Sequence, residues 1–226
     1  MTAPRCRLAC LDMAGTTVGD DGAVLTAFAA ALDAVGFADG TPERQKAVDY
    51  TVETMGQSKI EVFRAVTGDE TSAHRANAAF EAAYLDAIRS GGVTAIDGAA
   101  DAIAAMRAAG TKVALTTGFS ADTRDALLDA LGWHDIADLV LSPSDAGRGR
   151  PYPDLVLTAV LRLAVDDVHD VAVAGDTTSD LLTGHRAGAG VVAGVLTGAH
   201  TASDFATVPH TDVLASVADL PALLAS

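Results

Sequence analysis

Five short apolar runs set the terms for this chain, at residues 7–11, 112–116, 139–141, 168–174 and 191–196. Most are apolar along nearly their whole length rather than at alternate positions, which is the pattern of strands buried on both faces. Amphipathic stretches with helix punctuation lie between them. Asp97 is placed to cap a helix running toward Gly110 with Ile103 and Met106 on one face. Ser120 is placed to cap a second through Leu127, Leu128 and Leu131, stopped at Gly132, and Pro153 suits the first turn of a third carrying Val156, Val160 and Leu163. Such alternation predicts an α/β fold with a doubly wound parallel-sheet core covered by helices on both faces.

One region breaks the alternation. From Gly19 to Val93 the patterns are helical, with no convincing strand. The region opens on the acidic turn Gly19-Asp20-Asp21-Gly22 and closes on Ser90-Gly91-Gly92, two hinge-like sequences. Inside it, Thr41-Pro42-Glu43 reads as a helix start, and Ser58 with Glu61 as a capping box. The expected division is a core of residues 1–18 and 94–226, with residues 19–93 forming a helical cap inserted after the first strand.

Composition narrows the function classes. Thirty acidic residues against fifteen basic ones give a net charge of −15 over 226 residues. A surface that negative repels phosphate backbones and anionic lipid, so no nucleic-acid and no membrane partner is expected. No apolar run reaches the length of a membrane span. The stretch after Arg5 and Arg7 is cut short by Asp12, so no leader peptide is expected. Cys6 and Cys10, four positions apart on a strand, are too far apart to bridge, and a cytoplasmic location follows as the expectation. The six histidines are scattered without metal-ligand spacing and read as structural or solvated.

In an open parallel sheet, ligands bind beyond the carboxyl ends of the strands. The first strand runs into Asp12-Met13-Ala14-Gly15-Thr16-Thr17, the second into Thr116-Thr117-Gly118, and the third is followed by a loop carrying Arg150. The fourth runs into Gly175-Asp176-Thr177-Thr178-Ser179-Asp180. Carboxylates from two strand ends suit a small hard cation such as Mg²⁺. A hydroxyl beside glycine, together with a guanidinium, suits a phosphoryl group. A carboxylate oxygen of Asp12 is then a nucleophile toward phosphorus. Lys59 adds a second reactive group. It is one of three lysines against twelve arginines, and it stands at a helix start, where the helix dipole opposes its charge. That position favours a neutral amine able to condense with a carbonyl.

The order Asp12, Thr117, Arg150, Asp176 and Asp180 resembles the haloacid dehalogenase superfamily over nearly the whole chain. The first motif, Asp12-Met13-Ala14-Gly15-Thr16, and the segment Met55-Gly56-Gln57-Ser58-Lys59 resemble its phosphonatase-like branch of phosphonoacetaldehyde hydrolase type. Ala14 stands where the superfamily usually has a second Asp, and Arg150 where it usually has Lys. Val62 and Phe119 stand where phosphonatases carry His and Tyr, and no Cys stands around Gly22 and Ala23.

The resemblance implies a Mg²⁺-dependent hydrolase of phosphonate breakdown. It would cleave the C–P bond of phosphonoacetaldehyde or a related 2-oxoalkylphosphonate through a Lys59 Schiff base and an aspartyl-phosphate on Asp12. It implies metal ligation by Asp12, the Ala14 carbonyl and Asp176 with support from Asp180, and substrate contacts from Ala14, Gly15, Thr16, Met55, Thr117, Gly118 and Arg150. It also implies a homodimer. Two other readings stay open on the residues alone: a phosphomonoester phosphatase using Lys59 to bind an anion, and a non-catalytic binder of phosphorylated metabolites.

Overall fold

A computed structural model describes residues 6–225. The first five residues of the expected core segment, Arg5 among them, lie outside the described residues. The elements in chain order are β1 (Leu8–Asp12), β2 (Val18–Gly19), α1 (Ala23–Ala34), α2 (Pro42–Glu53), α3 (Lys59–Thr67) and α4 (Glu70–Arg89). They continue with β3 (Thr94–Ala95), α5 (Ala99–Ala108), β4 (Lys112–Thr116), α6 (Ala121–Leu131), β5 (Leu139–Leu141), α7 (Pro143–Ala146) and α8 (Asp154–Arg162). The last are β6 (Val171–Gly175), α9 (Thr178–Ala187), β7 (Val191–Val195), α10 (Ala202–Phe205), β8 (Asp212–Leu214) and α11 (Leu220–Ala225).

Six strands form one parallel sheet in the order β5-β4-β1-β6-β7-β8. All of β1 is buried, and its residues alternate between the two faces. Ala9 and Leu11 join the cluster that includes Ile103 and Met106 of α5, while Leu8 and Cys10 join Leu155, Val156 and Ala159 of α8. That two-sided burial is why the strand sequence is continuously apolar. The doubly wound α/β expectation is met. The chain winds from β1 outward to β4 and β5, then returns to the other side of β1 as β6. That reversal opens a crevice at the carboxyl ends of β1 and β6, the place where such sheets bind ligands.

The two passages of chain around the helical region pair with each other. Val18 and Gly19 of β2 bond antiparallel to Ala95 and Thr94 of β3. Between these strands α1 to α4 form a four-helix segment, with α4 packed on α1 and α3 through Phe28, Phe63, Phe80 and Tyr84. Four of the chain's six phenylalanines meet here or at the edge of this cluster. No helix among the described residues is long and apolar enough to cross a membrane. Both cysteines are buried and unbridged, and burial pushes the Cys10 thiol up to about 12.

Several local expectations shift. Asp97 caps nothing; Gly98, at φ 77°, precedes α5, and a Cβ there would come 2.9 Å from that of Ala218. Ser58 stands at the start of α3 but makes no side-chain cap, and Glu61 pairs with Arg64 at 2.6 Å, so the capping box is absent. Ser58 is instead buried against Gly149. Residues 168–170 form a 3₁₀ turn held by the Asp167 side chain, so the strand begins at Val171. Thr41 and Ser120 do cap α2 and α6. Pro153 falls one position earlier than expected, at the N-cap of α8.

Helix α9 crosses the sheet at Gly184, where an added Cβ would lie 2.9 Å from that of Val173 and 3.1 Å from Cγ2 of Val192. In an exposed helix a Gly-to-Ala change gains roughly 1 kcal/mol, whereas overpacking a core costs roughly 1–3 kcal/mol. Gly184→Ala is therefore expected to destabilise the protein, seen as a lower urea midpoint at unchanged slope; a raised midpoint would show that the helix is free to lift from the sheet.

Candidate active site

Asp12 is the last residue of β1 and lies in register with Thr116 of β4. The loop after it folds tightly back, with the backbone amides of Thr17 and Val18 both donating to the Met13 carbonyl at 2.8 Å. Gly15 sits at φ 84°, and a Cβ there would fall 2.4 Å from Oδ2 of Asp176. Only glycine lets this loop and the end of β6 come together. Asp176 is held on the other side by the loop after β7. The Ala199 amide donates to its Oδ2 at 2.7 Å, and a Cβ on Gly198 would overlap the carboxylate.

Arg150 binds these pieces to one another. Its Nη2 donates to Oδ1 of Asp12 at 2.7 Å and to the hydroxyl and carbonyl of Thr116 at 2.7 and 2.9 Å. Its Nε donates to Oδ1 of Asp180 at 2.8 Å, and its Nη1 to the Gly56 carbonyl at 3.3 Å. Each guanidinium nitrogen thus already serves a protein oxygen, so the group acts here as a fixed buried charge rather than an open fork. Asp180 reaches Arg150 from the first turn of α9, where its Oδ2 also accepts from the Thr177 amide at 3.1 Å.

Carboxylate oxygens of Asp12, Asp176 and Asp180 all lie within 4.8 Å of one another, and all three residues are buried. Burial, with the charges of Asp180 and Asp176 adding to it, holds the Asp12 carboxyl well above the usual range even though Arg150 pulls it down. Burial and the neighbouring Asp180 raise Asp176 to about 6. Crowded, dry carboxylates of this kind are a donor set for a small hard divalent cation.

Lys59 approaches from the four-helix segment. It is 7 % exposed, and its Nζ lies 5.3 Å from the ring centroids of Phe28 and Phe119 and 5.9 Å from that of Phe80. Nζ makes a long donation to the Gln57 carbonyl, at 3.4 Å. Burial pulls the amine down to about 8, against the pull of Asp12, Asp176 and Asp180 toward the charged form. Backbone contact across the seam makes this approach possible. A Cβ on Gly118 would lie 2.6 Å from the Gln57 carbonyl oxygen, and one on Gly56 would lie 2.5 Å from Oγ1 of Thr177.

A cavity of about 390 Å³ joins the groups. Asp12, Ala14, Gly15, Met55, Lys59, Thr117, Gly118, Arg150 and Asp176 all border it. Two expected site residues lie beneath it instead. Thr16 is fully buried and its hydroxyl donates to Oδ1 of Asp176 at 3.2 Å, and Asp180 stands behind Arg150. Residues 197–199 also border the cavity and were not singled out in the sequence, although they follow a strand as the others do. Nothing in the sequence marks Phe28 and Phe80 as neighbours of the amine. Among the histidines, His200 accepts from the Thr178 amide at 3.0 Å and the other five are exposed.

Comparison with known proteins agrees with this architecture. A family model described as haloacid dehalogenase-like hydrolase matches residues 6–188. A phosphonoacetaldehyde hydrolase from Bacillus cereus is 31% identical over 106 residues, which cover 46% of this chain and 39% of that protein. The match thus spans about two-fifths of the length of that curated relative. The phosphonoacetaldehyde hydrolase-like protein from Oleispira antarctica superposes with a TM-score of 0.82 at 23% identity, covering 98% of this chain and 92% of that one. A protein described as a predicted phosphoglycolate phosphatase from Haemophilus somnus superposes at 0.79 with 15% identity, covering 97% and 98%. At such identities the superpositions speak for the fold alone. The family match runs through the ends of β1, β4 and β6 and the loop carrying Arg150, and the chain belongs to the haloacid dehalogenase-like hydrolases.

Proposed function

We propose that this hydrolase cleaves the C–P bond of phosphonoacetaldehyde or a related 2-oxoalkylphosphonate. The observation that carries the reading is the Lys59 amine, held in an aromatic wall on the same cavity as Asp12. A phosphoester hydrolase has no use for a second, amine nucleophile. A phosphonate with a carbonyl two atoms from phosphorus needs an acceptor for the electrons of the C–P bond.

The neutral amine adds to the substrate carbonyl, and uptake of one proton with loss of water leaves an iminium on Lys59. The Asp12 carboxylate then attacks phosphorus in line. The C–P bond breaks, its electron pair passes to the iminium as an enamine, and phosphorus stays on Asp12 as an aspartyl-phosphate. Protonation of the enamine carbon and hydrolysis of the resulting imine release the carbonyl product. A second water hydrolyses the aspartyl-phosphate. No proton has to reach a leaving oxygen, which accounts for Ala14 at the position where an acid would stand.

Asp12, Asp176 and the Ala14 carbonyl would hold Mg²⁺, with Asp180 supporting them through Arg150 and the α9 turn. The ion supplies charge neutralisation between the carboxylates and the phosphoryl oxygens. Thr117 and Gly118 line the space left for those oxygens, and the four-helix segment serves as a cap that excludes water.

Borohydride added during turnover should leave a reduced adduct on Lys59, located by peptide mass, while Lys59→Arg should lose nearly all phosphate release. A variant that keeps its rate, or an enzyme that turns over phosphate esters and never traps, would point to a phosphatase. Trapping should also follow the amine. Below pH 8 its initial rate should fall roughly tenfold per unit as Lys59 takes up a proton, and it should level off above pH 8. A lysine in water would keep climbing to about 10.4.

The seam gives a separate expectation. Gly118→Ala forces the Gln57 carbonyl outward. Displacing the amine by about 1 Å should lower kcat/KM roughly 10²-fold. The thermal midpoint should change little, because the sheet core is untouched; an unaffected kcat/KM would mean that the segment need not seat so closely.

A further inference from the structure

One wall of the cavity has no part in the reaction above. It is the passage leaving the core after β2, where Gly19, Asp20, Gly22, Val24 and Leu25 border the space. A Cβ built on Gly22 would meet no atom within 4 Å, so the wall is open there. The cavity's 390 Å³ lies within the roughly 300–1,000 Å³ of pockets that enclose drug-sized ligands. A two-carbon aldehyde bearing a phosphonate leaves much of it empty.

Asp20 is a fixed group on this wall. Its Oδ1 accepts from the Gly22 amide at 3.2 Å and its Oδ2 from the Tyr84 hydroxyl at 3.1 Å. Tyr84 is fully buried, and burial, with the charge of Asp20, raises its phenol beyond the ordinary range, so it remains a donor. Its ring is locked 6.0 Å from Phe80 and 4.7 Å from Phe119, two of the rings around the Lys59 amine. The carboxylate is therefore positioned relative to Lys59 by packed side chains. No cation pairs with it among the described residues. An ionised carboxylate has about four acceptor sites, and two are taken. Neighbouring Asp21 also borders the cavity but is solvent-exposed.

Resting on the C–P reading, we propose that Asp20 is a specificity determinant. It selects a ketone, a 2-oxoalkylphosphonate whose carbon beyond the carbonyl carries a hydrogen-bond donor, hydroxyl or ammonium. The open wall at Gly22 takes the added carbon, Val24 and Leu25 pack on it, and the spare acceptor sites of Asp20 receive the donor. A carboxylate in the same position meets like charge and is refused. Lys59 and Asp12 act on the carbonyl and phosphorus of this substrate as described above.

The test is phosphate release by the Mg²⁺-loaded enzyme from 2-oxopropylphosphonate, its 3-hydroxy and 3-amino derivatives, 3-phosphonopyruvate and phosphonoacetaldehyde. For one of the donor-bearing ketones kcat/KM should exceed that of the methyl ketone by roughly ten- to a hundredfold, the scale of a hydrogen bond to a charged group. Phosphonopyruvate should be the poorest substrate. In Asp20→Asn the donor preference should shrink to within about threefold and phosphonopyruvate should improve relative to the methyl ketone. The hydroxy and amino arms identify which donor is bound. If Asp20→Asn does not fold, Tyr84→Phe, which removes the brace, should shrink the same ratio. Phosphate release without a donor preference, or a preference indifferent to both variants, overturns this assignment and leaves the C–P reading intact. Release from none of the five phosphonates overturns both.

Discussion

The buried pairing of Arg150 with Asp12 and Asp180, at 2.7 and 2.8 Å with these side chains at most 6 % exposed, is what the strand ends depend on. Three carboxylates so close together repel, and taking each from water is costly. One guanidinium offsets part of that cost and fixes geometry at the same time. It reaches β1 through Asp12, β4 through Thr116 and α9 through Asp180. It also contacts the four-helix segment through the Gly56 carbonyl. Loss of one partner from a buried pair of this kind costs roughly 3–5 kcal/mol, since the other charge stays buried. A lysine, with its compact ammonium on a flexible stem, would not span these directions.

The close approach around that charge rests on glycine. Gly15 and Gly198 admit the Asp176 carboxylate, Gly175 admits that of Asp180, and Gly118 admits the backbone of the four-helix segment. At each of these a side chain would overlap a carboxylate or a carbonyl. The polar groups are thus placed by the absence of neighbouring side chains as much as by hydrogen bonds. The same economy shows in the core, where small aliphatic strands leave most of the phenylalanines for the seam.

The sheet and the strand-end residues were legible because both follow from local rules. Strands buried on two faces read as unbroken apolar runs, and ligands gather where those runs end. Asp12, Thr117, Arg150 and Asp176 were found that way. The short edge strand β8 was not, because Asp212-Val213-Leu214 is half-exposed and too brief to show a pattern. Asp97 and Glu61 misled for a related reason. A capping residue is recognised by type and spacing, yet at both places packing against another part of the chain decides the start of the helix. Thr16 was expected to face a ligand because its motif does, whereas the tight turn after β1 points its hydroxyl at Asp176. Long-range facts of this sort have no local signature.

Lys59 shows how those two levels meet. Its helix-start position already disfavours a charge, through the dipole of α3. That effect is modest and fades in water. The larger contribution comes from removal of the amine from solvent by Phe28 and Phe80 of the four-helix segment and Phe119 of the core. The wall is therefore shared between two parts of the chain, and it is complete only while Gly118 lies against Gln57. Nearby carboxylates pull toward the charged form, and the rings also favour a cation over their faces. Dryness lowers the amine while aromatic faces favour a cation, so the same surroundings suit both the neutral nucleophile and the iminium of the proposed reaction. A binding lysine would need the charge throughout and would be better served by water.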